Sequence, residues 1–270
     1  MQLALTIGGS DSGGGAGIQA DLKTFHAFGV FGTSAITAVT AQNTVHVIAW
    51  EPVSHALVRA QIDAVVDDLR PAAVKTGMLG DESIVREVAA AIRDHRLDNY
   101  VLDPVMVASS GDMLIHAGAV SAIREDLLPL ALLVTPNSHE ASVLTGLPVN
   151  NEAEMLRAAH RLIELGAAAA LIKGGHVPSG SAMTDLFFDG DAVWLRHERI
   201  ESRNTHGTGC TLSAAITAGL ARGKPLVDAT RAAVDFVQAA IKSAPGLGAG
   251  HGPLNHFAAG SSATKARTRR

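Results

Sequence analysis

The sequence predicts an α/β protein with a central, mostly parallel sheet flanked by helices. The first observation is that short apolar runs alternate with longer amphipathic stretches, which is typical of strand–helix–strand units. The second is that Gly, Lys, Asp and Glu follow directly after these runs, where ligands collect in parallel sheets. The strand candidates are residues 3–7, 33–40, 73–76, 100–102, 132–135 and 169–172.

Residues 151–165 give the clearest helix between two of these strands. Apolar residues recur there at helical spacing, and Glu154 stands three residues after Asn151, the spacing of a capped helix start. Gly166 predicts the end of this helix. After Thr208 the pattern is helical through about Ser243.

Two places break the alternation and predict antiparallel ribbons. Between residues 33–40 and 45–53 there is no room for a helix, and residues 185–188 and 192–195 flank the turn Asp189-Gly190-Asp191. We expect these ribbons to form a small sheet edge, a lid or a dimer surface. Since no repeat or linker divides the chain, we expect one domain over 1–257 and a disordered basic tail over 258–270.

Composition narrows the class of protein. The chain has 270 residues, a net charge of −4 and 18% charged residues, so no overall field favours nucleic acid or an anionic membrane. One cysteine rules out an internal disulfide framework and suits a reducing compartment. The first residues lack the basic segment of a signal peptide. We therefore expect a cytoplasmic protein that binds neither nucleic acid nor a membrane.

A glycine-rich loop follows the first strand and raises one alternative function. Gly15–Ala20 fits the Ala-ended dinucleotide fingerprint, so a nicotinamide or flavin oxidoreductase is a competing hypothesis. That fingerprint requires an acidic residue at the end of the next strand, and residues 34–43 contain none. The chain also lacks the P-loop pattern of many nucleotidases.

A second loop points to phosphoryl transfer. Gly207–Cys210 precedes a helical run, where backbone N–H groups bind anions and the helix dipole favours a thiolate, although a lone cysteine is more often a buried apolar residue. Taken singly, the polar strand ends have ordinary structural explanations, such as a helix cap at Asn137. Together they place two carboxylates and two lysines on one rim: Lys75, Asp103, Glu140 and Lys173.

The motifs resemble, in order and over nearly the whole chain, the ribokinase-like hydroxymethylpyrimidine and phosphomethylpyrimidine kinases of thiamine biosynthesis. The matching segments are 7–17 (IGGSDSGGGAG), 20–23 (ADLK), 37–44 (TAVTAQNT), 75–78 (KTGM), 103–105 (DPV), 135–140 (TPNSHE), 173–176 (KGGH), 185–189 (DLFFD), 206–213 (HGTGCTLS) and 250–257 (GHGPLNHF). The resemblance implies a three-layer α/β fold and an ATP- and Mg²⁺-dependent kinase. One departure is Ala249, near which we expect a histidine.

The resemblance also implies roles for residues around the phosphates. Gly207, Thr208, Gly209 and Cys210 would form the anion hole for the transferring phosphoryl group, and Cys210 would help to deprotonate the substrate. Lys173 and Thr208 would contact ATP. Asp103 and Glu140 would hold Mg²⁺ directly or through water.

The substrate residues follow in the same way. Gln42 would read the pyrimidine, because a carboxamide pairs with the adjacent donor and acceptor of an aminopyrimidine edge. Gly9, Asp21, Met78 and Val105 would line the pocket. His206 and His176 lie near the site in sequence, but we assign them no role.

Three further expectations stay open from the sequence. A pyridoxal or pyridoxine kinase of the same fold is the nearest alternative, and a ligand-binding regulator without catalysis is a more distant one. The family resemblance and the ribbons favour a homodimer.

Overall fold

A single sheet of nine strands organises the described part of the chain. The structure, a computed structural model, describes residues 1–107, 111, 114–175 and 182–258. His176 and the part of the predicted basic tail that follows Ala258 lie outside these residues. The strands are β1 (Leu3–Ser10), β2 (Phe31–Gln42), β3 (Val47–Pro52), β4 (Ala73–Thr76), β5 (Tyr100–Leu102), β6 (Leu133–Val134), β7 (Ala170–Ile172), β8 (Ala182–Phe188) and β9 (Ala192–Glu198).

The strand order in space is β3-β2-β1-β4-β5-β6-β7-β8-β9. The six strands from β2 to β7 in this order run parallel, and β3 and β8 are antiparallel to their neighbours. The two predicted ribbons, β2–β3 and β8–β9, therefore form opposite edges of the sheet. In the second, Gly190 adopts a positive φ in the turn.

Helices cover both faces of the sheet. They are α1 (Gly17–Ala27), α2 (His55–Leu69), α3 (Glu82–His95), α4 (Ala117–Ala122), α5 (Ser138–Thr145), α6 (Glu152–Glu164), α7 (Thr208–Ala221) and α8 (Leu226–Lys242). A short π-helical and 3-10 segment follows α4. One core packs α2 to α6 against the sheet, and the other packs α1, α7 and α8 against its opposite face.

Alternating side chains on the strands supply these two cores. Leu5, Leu102 and Val134 point into the first, and their sequence neighbours Ala4, Val101 and Leu133 point into the second. A strand buried on both faces is a continuous apolar run, which explains the short runs in the sequence. The predicted three-layer α/β fold is confirmed.

Two helix boundaries show how well the sequence pattern predicted where helices begin and end. The predicted cap is present, since Asn151 Oδ1 accepts a hydrogen bond from the Glu154 N–H at 3.0 Å. The predicted helical stretch after Thr208 is two helices, because Gly223 takes a positive φ and Pro225 starts α8. Within the described residues, none of the helices has the length and apolar character that crossing a membrane requires.

Candidate active site

A cavity of about 920 Å³ lies at the carboxyl ends of the parallel strands. This is where the topology of an open α/β sheet places ligands. Every residue predicted for the site lines it. These residues are Gly9, Asp21, Gln42, Met78, Asp103, Val105, Glu140, Lys173, Gly207, Thr208, Gly209 and Cys210.

The start of α7 lies at the centre of this cavity. Gly207 is its N-cap residue and has a φ of 81°, and a side chain there would collide with the carbonyl oxygen of Gly15. Since glycine provides no capping side chain, the first-turn N–H groups of Gly209 and Cys210 have no helical carbonyl to bond. They can bind an anion, and the helix dipole adds to that attraction.

Beside this helix start lies a carboxylate–lysine cluster formed by Asp103, Glu140 and Lys173. Lys173 Nζ lies 3.3 Å from Asp103 Oδ1 and 3.8 Å from Glu140 Oε2. A Cβ atom at Gly209 would lie 3.3 Å from the same Nζ, so the cluster adjoins the anion-binding turn. Three residues from separate strand ends therefore converge on one point.

Burial and neighbouring charges have opposing effects on the pKa values of the two carboxyl groups in this cluster. Burial raises the pKa of Asp103, but Lys173 and Lys75 outweigh it and hold that pKa below its usual value. Burial together with the charge of Asp103 raises the pKa of Glu140 despite the opposing effect of Lys173. Lys173 is a single cation facing two carboxyl groups, so the cluster has room for a further positive charge.

Glu140 also has a structural function, as the helix-cap spacing indicated. Its Oε2 accepts a hydrogen bond from the Asn137 N–H at 2.7 Å, and Asn137 Oδ1 accepts one from the Glu140 N–H at 2.9 Å. This reciprocal capping box, together with the Met106 N–H that also bonds the carboxylate, fixes the Glu140 side chain at the start of α5.

The donors fit a weakly held divalent cation. The described residues contain no cluster of three or more His, Cys, Asp or Glu side chains suited to a metal. Mg²⁺ commonly uses only one or two carboxylates and completes its shell with water and substrate phosphates. Asp103 and Glu140 match that requirement.

An ion pair between Asp21 and Lys75 forms the cavity floor. The sequence placed Lys75 on the polar rim with Asp103, Glu140 and Lys173. Its side chain is instead fully buried, with Nζ 2.9 Å from Asp21 Oδ1. Thr6 Oγ1 donates to Asp21 Oδ2 at 2.6 Å. Burial opposes the ammonium, yet Asp21, Cys210 and Asp103 raise the pKa of Lys75 above its usual value.

Cys210 lies next to this pair and is partly exposed to the cavity. Burial raises the pKa of the thiol to about 12, although Lys75 and the Gly17 N–H favour the thiolate. The helix dipole was expected to produce a thiolate, but desolvation outweighs it here. At neutral pH the sulfur is a thiol.

One end of the cavity combines apolar walls with one carboxamide. Met78 and Val105 belong to a small apolar cluster, and Thr37 Oγ1 positions Met78 by donating to its carbonyl oxygen at 2.6 Å. Gly9 packs against Met78, where a Cβ atom would approach its Sδ to 2.9 Å. Gln42, the last residue of β2, lies beside this apolar part of the cavity.

A second apolar wall of the cavity was not apparent from the sequence. Val234, Val237 and Ile241 line it from α8. His197 stands across from them, between Asp185 Oδ2 at 3.2 Å and Gln238 Nε2 at 3.0 Å. Both apolar walls line the same cavity as the α7 start.

Sequence reasoning also missed Asp11 and gave His206 no role. His206 Nε2 lies 2.8 Å from Asp11 Oδ2, and both side chains are buried. This pair joins the glycine-rich loop to the start of α7. The only local signal was that Asp11 is an acidic residue within the glycine-rich loop after β1. No acidic residue follows at the end of β2 to bind a ribose.

The fold and the site are those of a small-molecule phosphotransferase, with an open helix start beside a carboxylate–lysine cluster. The family model described as phosphomethylpyrimidine kinase matches residues 11–255. The chain belongs to this family, and the oxidoreductase alternative suggested by Gly15–Ala20 is thereby set aside.

Individual relatives support the same class. The chain is 56% identical to the hydroxymethylpyrimidine/phosphomethylpyrimidine kinase of Rhizobium meliloti (strain 1021) over 94% of this chain and 97% of that protein. It is 48% identical to the kinase of the same description from Bacillus subtilis (strain 168), over 94% of each. Among solved structures, an ADP complex of Bacillus subtilis pyridoxal kinase superposes with a TM-score of 0.88 at 40% identity, covering 96% of this chain and 98% of that one.

Proposed function

We propose that this protein transfers the γ-phosphoryl group of ATP to 4-amino-5-hydroxymethyl-2-methylpyrimidine and then to the resulting monophosphate. The observation that carries this proposal is the position of the α7 start between the Gln42–Met78–Val105 end and the carboxylate–lysine cluster. An alcohol bound at the first end and a nucleotide at the second would both face the same N–H groups.

The phosphate chemistry follows from the residues at the centre. The N–H groups of Gly209 and Cys210 would bind the transferring phosphoryl oxygens, and Lys173 would neutralise the nucleotide phosphates. Asp103 and Glu140 would hold Mg²⁺, which supplies charge neutralisation at the phosphates when bound. An apolar wall from α8 suits a nucleobase.

Cys210 contributes mainly through its main chain in this proposal. Because burial raises the pKa of the thiol to about 12, little thiolate is present at neutral pH to take the substrate proton. A loose transition state for phosphoryl transfer needs little early deprotonation of the attacking hydroxyl. The thiol is therefore not the proton acceptor in this proposal, and the hydroxyl proton would pass to a phosphoryl oxygen or to water as the phosphoryl group is transferred.

A coupled ADP-release assay tests the substrate. We expect turnover with the pyrimidine alcohol and its monophosphate, with kcat/KM well above that for pyridoxal. A Gln42→Leu variant should raise KM for the pyrimidine, whereas the matched change Gln2→Leu at an exposed glutamine should not. A higher kcat/KM for pyridoxal would reject the pyrimidine assignment in favour of the pyridoxal kinase alternative.

We also propose that the protein forms a homodimer through the β2–β3 ribbon. Val39 and Ile48 on this edge are 53% and 73% exposed, and such apolar edge residues are often covered by a partner. Sedimentation of wild type and of a Val39→Glu/Ile48→Glu variant would test this, since only the variant should be monomeric.

Residues 1–257 serve as one kinase domain in this proposal, because a continuous sheet from β3 to β9 supplies residues to one cavity. The single cysteine supports a cytoplasmic location. Fractionation of cells that express the protein would test that location.

A further inference from the structure

Gln42 is held by two neighbours that bear on the orientation of its carboxamide. Its Oε1 lies 3.3 Å from Thr40 Oγ1, and its Nε2 lies 3.4 Å from His206 Nε2. His206 in turn contacts Asp11 at 2.8 Å. Thr40, His206 and Asp11 are all buried, whereas Gln42 is partly exposed to the cavity.

Asp11 determines which ring nitrogen of His206 carries a proton. Its carboxylate already accepts hydrogen bonds from the N–H groups of Gly13 at 2.8 Å, Gly15 at 3.0 Å and Ala16 at 2.8 Å. Burial raises the pKa of Asp11, but His206 and these N–H groups outweigh it and lower that pKa, so the group is ionised. An ionised carboxylate only accepts, and His206 Nε2 must therefore be a donor.

Thr40 determines which hydrogen-bonding group the other end of the Gln42 carboxamide faces. Its hydroxyl has one hydrogen, which it donates to the carbonyl oxygen of Ser10 at 2.9 Å. Toward Gln42 the same oxygen can then only accept. In the orientation above, Gln42 thus places an oxygen against an acceptor and an NH₂ group against a donor.

Turning the carboxamide by 180° resolves both conflicts at once. The Gln42 NH₂ group then donates to Thr40 Oγ1, and its oxygen accepts from His206 Nε2–H, which is shared with Asp11. The two orientations have nearly the same shape, so hydrogen bonding decides between them. One N–H and one oxygen lone pair of Gln42 remain for a ligand in the cavity.

We propose that Asp11, His206 and Thr40 are positioning residues that fix this orientation of Gln42 and thereby the order of donor and acceptor offered to the substrate ring. The proposal rests on the proposed function, in which Gln42 reads an aminopyrimidine edge. A carboxamide free to rotate accepts that edge in either order, whereas a fixed one selects a single ring orientation. Phosphoryl transfer requires this selected orientation to be the one that faces the hydroxymethyl group toward the α7 start.

Kinetics of a double-mutant cycle test this coupling. His206→Leu should raise KM for the pyrimidine alcohol about 3- to 10-fold, the effect of one lost hydrogen bond, with a smaller change in kcat. In a Gln42→Leu background the same change should alter KM by less than about twofold, since the residue that it positions is gone. His206→Gln, which keeps a donor near the same place, should restore KM.

Thr40→Val provides an independent arm with nearly unchanged shape, and circular dichroism checks the fold of each variant. If His206→Leu does not fold, Thr40→Val alone and with Gln42→Leu decides by the same criterion. Equal KM increases in both backgrounds would overturn the positioning role. No turnover of the pyrimidine by wild type, or an unchanged KM for Gln42→Leu, would instead reject the proposed function or the reader role on which it rests.

Discussion

Lys75 and Asp21 form a fully buried ion pair, with the lysine Nζ 2.9 and 3.0 Å from the two carboxylate oxygens. The pair joins β4 to α1 under the cavity. Its charges are compensated by one another and by Thr6, so removal of either partner leaves an uncompensated buried charge.

We predict that Lys75→Met lowers the free energy of unfolding by about 3–5 kcal/mol, because Asp21 remains buried without its cation. Urea unfolding followed by circular dichroism measures this. Lys242→Met, which breaks an exposed pair with Glu198, is the control and should cost less than about 1 kcal/mol. A double variant Lys75→Met/Asp21→Asn should recover part of the loss. A loss below about 1 kcal/mol for Lys75→Met would contradict the prediction.

Glu140→Gln separates metal binding from helix capping. Glutamine can make the same returning hydrogen bond to the Asn137 N–H, and Asp103 still pairs with Lys173, so the fold should lose no more than about 1.5 kcal/mol. The missing charge should raise the Mg²⁺ concentration for half-maximal kinase activity by about tenfold. Glu154→Gln, at the capped start of α6 and outside the cavity, is the matched control. An unchanged Mg²⁺ requirement would remove Glu140 from the metal site.

Local patterns predicted the sheet and the residues around the α7 start, because both depend on short segments. The family resemblance supplied the remaining site residues: Gly9, Asp21, Gln42, Met78 and Val105. β4 and β5 were predicted residue for residue, since buried parallel strands are brief apolar runs. The end of each run then located the polar residues that follow it, such as Asp103 and Lys173. Parallel topology brings those ends together without further information.

Features formed between distant segments were not predictable in this way. Asp11 and His206 are 195 positions apart, and nothing near either one indicates the other. Lys75 ends a short apolar run, but only the packing of α1 on the sheet shows that its side chain meets Asp21. The pKa of the Cys210 thiol also depends on opposing effects whose relative size cannot be predicted from the sequence. The helix start favours its charged form, whereas desolvation, which depends on the whole fold, prevails.

The high pKa of Cys210 predicts slow alkylation. Since the chain has one cysteine, iodoacetamide labelling reports on it alone. Burial raises the pKa of the thiol to about 12, so labelling at pH 8 should be more than about tenfold slower than for free N-acetylcysteine. The rate should still rise between pH 9 and 10. A plateau between pH 7 and 9 would instead indicate a thiolate suited to act as base.

His256 gives the fold a defined acid sensitivity. Its side chain is buried with Nε2 3.1 Å from Thr211 Oγ1, and burial, with the charge of Lys23, lowers the pKa of His256 to about 4. Between about 6.5 and 4 the unfolded chain binds a proton at this residue and the folded protein does not. Stability from the neutral imidazole is therefore complete above pH 6.5 and decreases as the pH falls.

We predict that His256→Gln flattens this dependence. Thermal unfolding measured from pH 4 to 7 should show the melting temperature of wild type falling more steeply below pH 6.5 than that of the variant. At neutral pH the variant should be less stable than wild type, because glutamine fills the imidazole site imperfectly. His26→Gln, at an exposed position in α1, serves as the control and should leave the wild-type slope unchanged. Parallel pH profiles for wild type and His256→Gln would show that other groups produce the acid sensitivity.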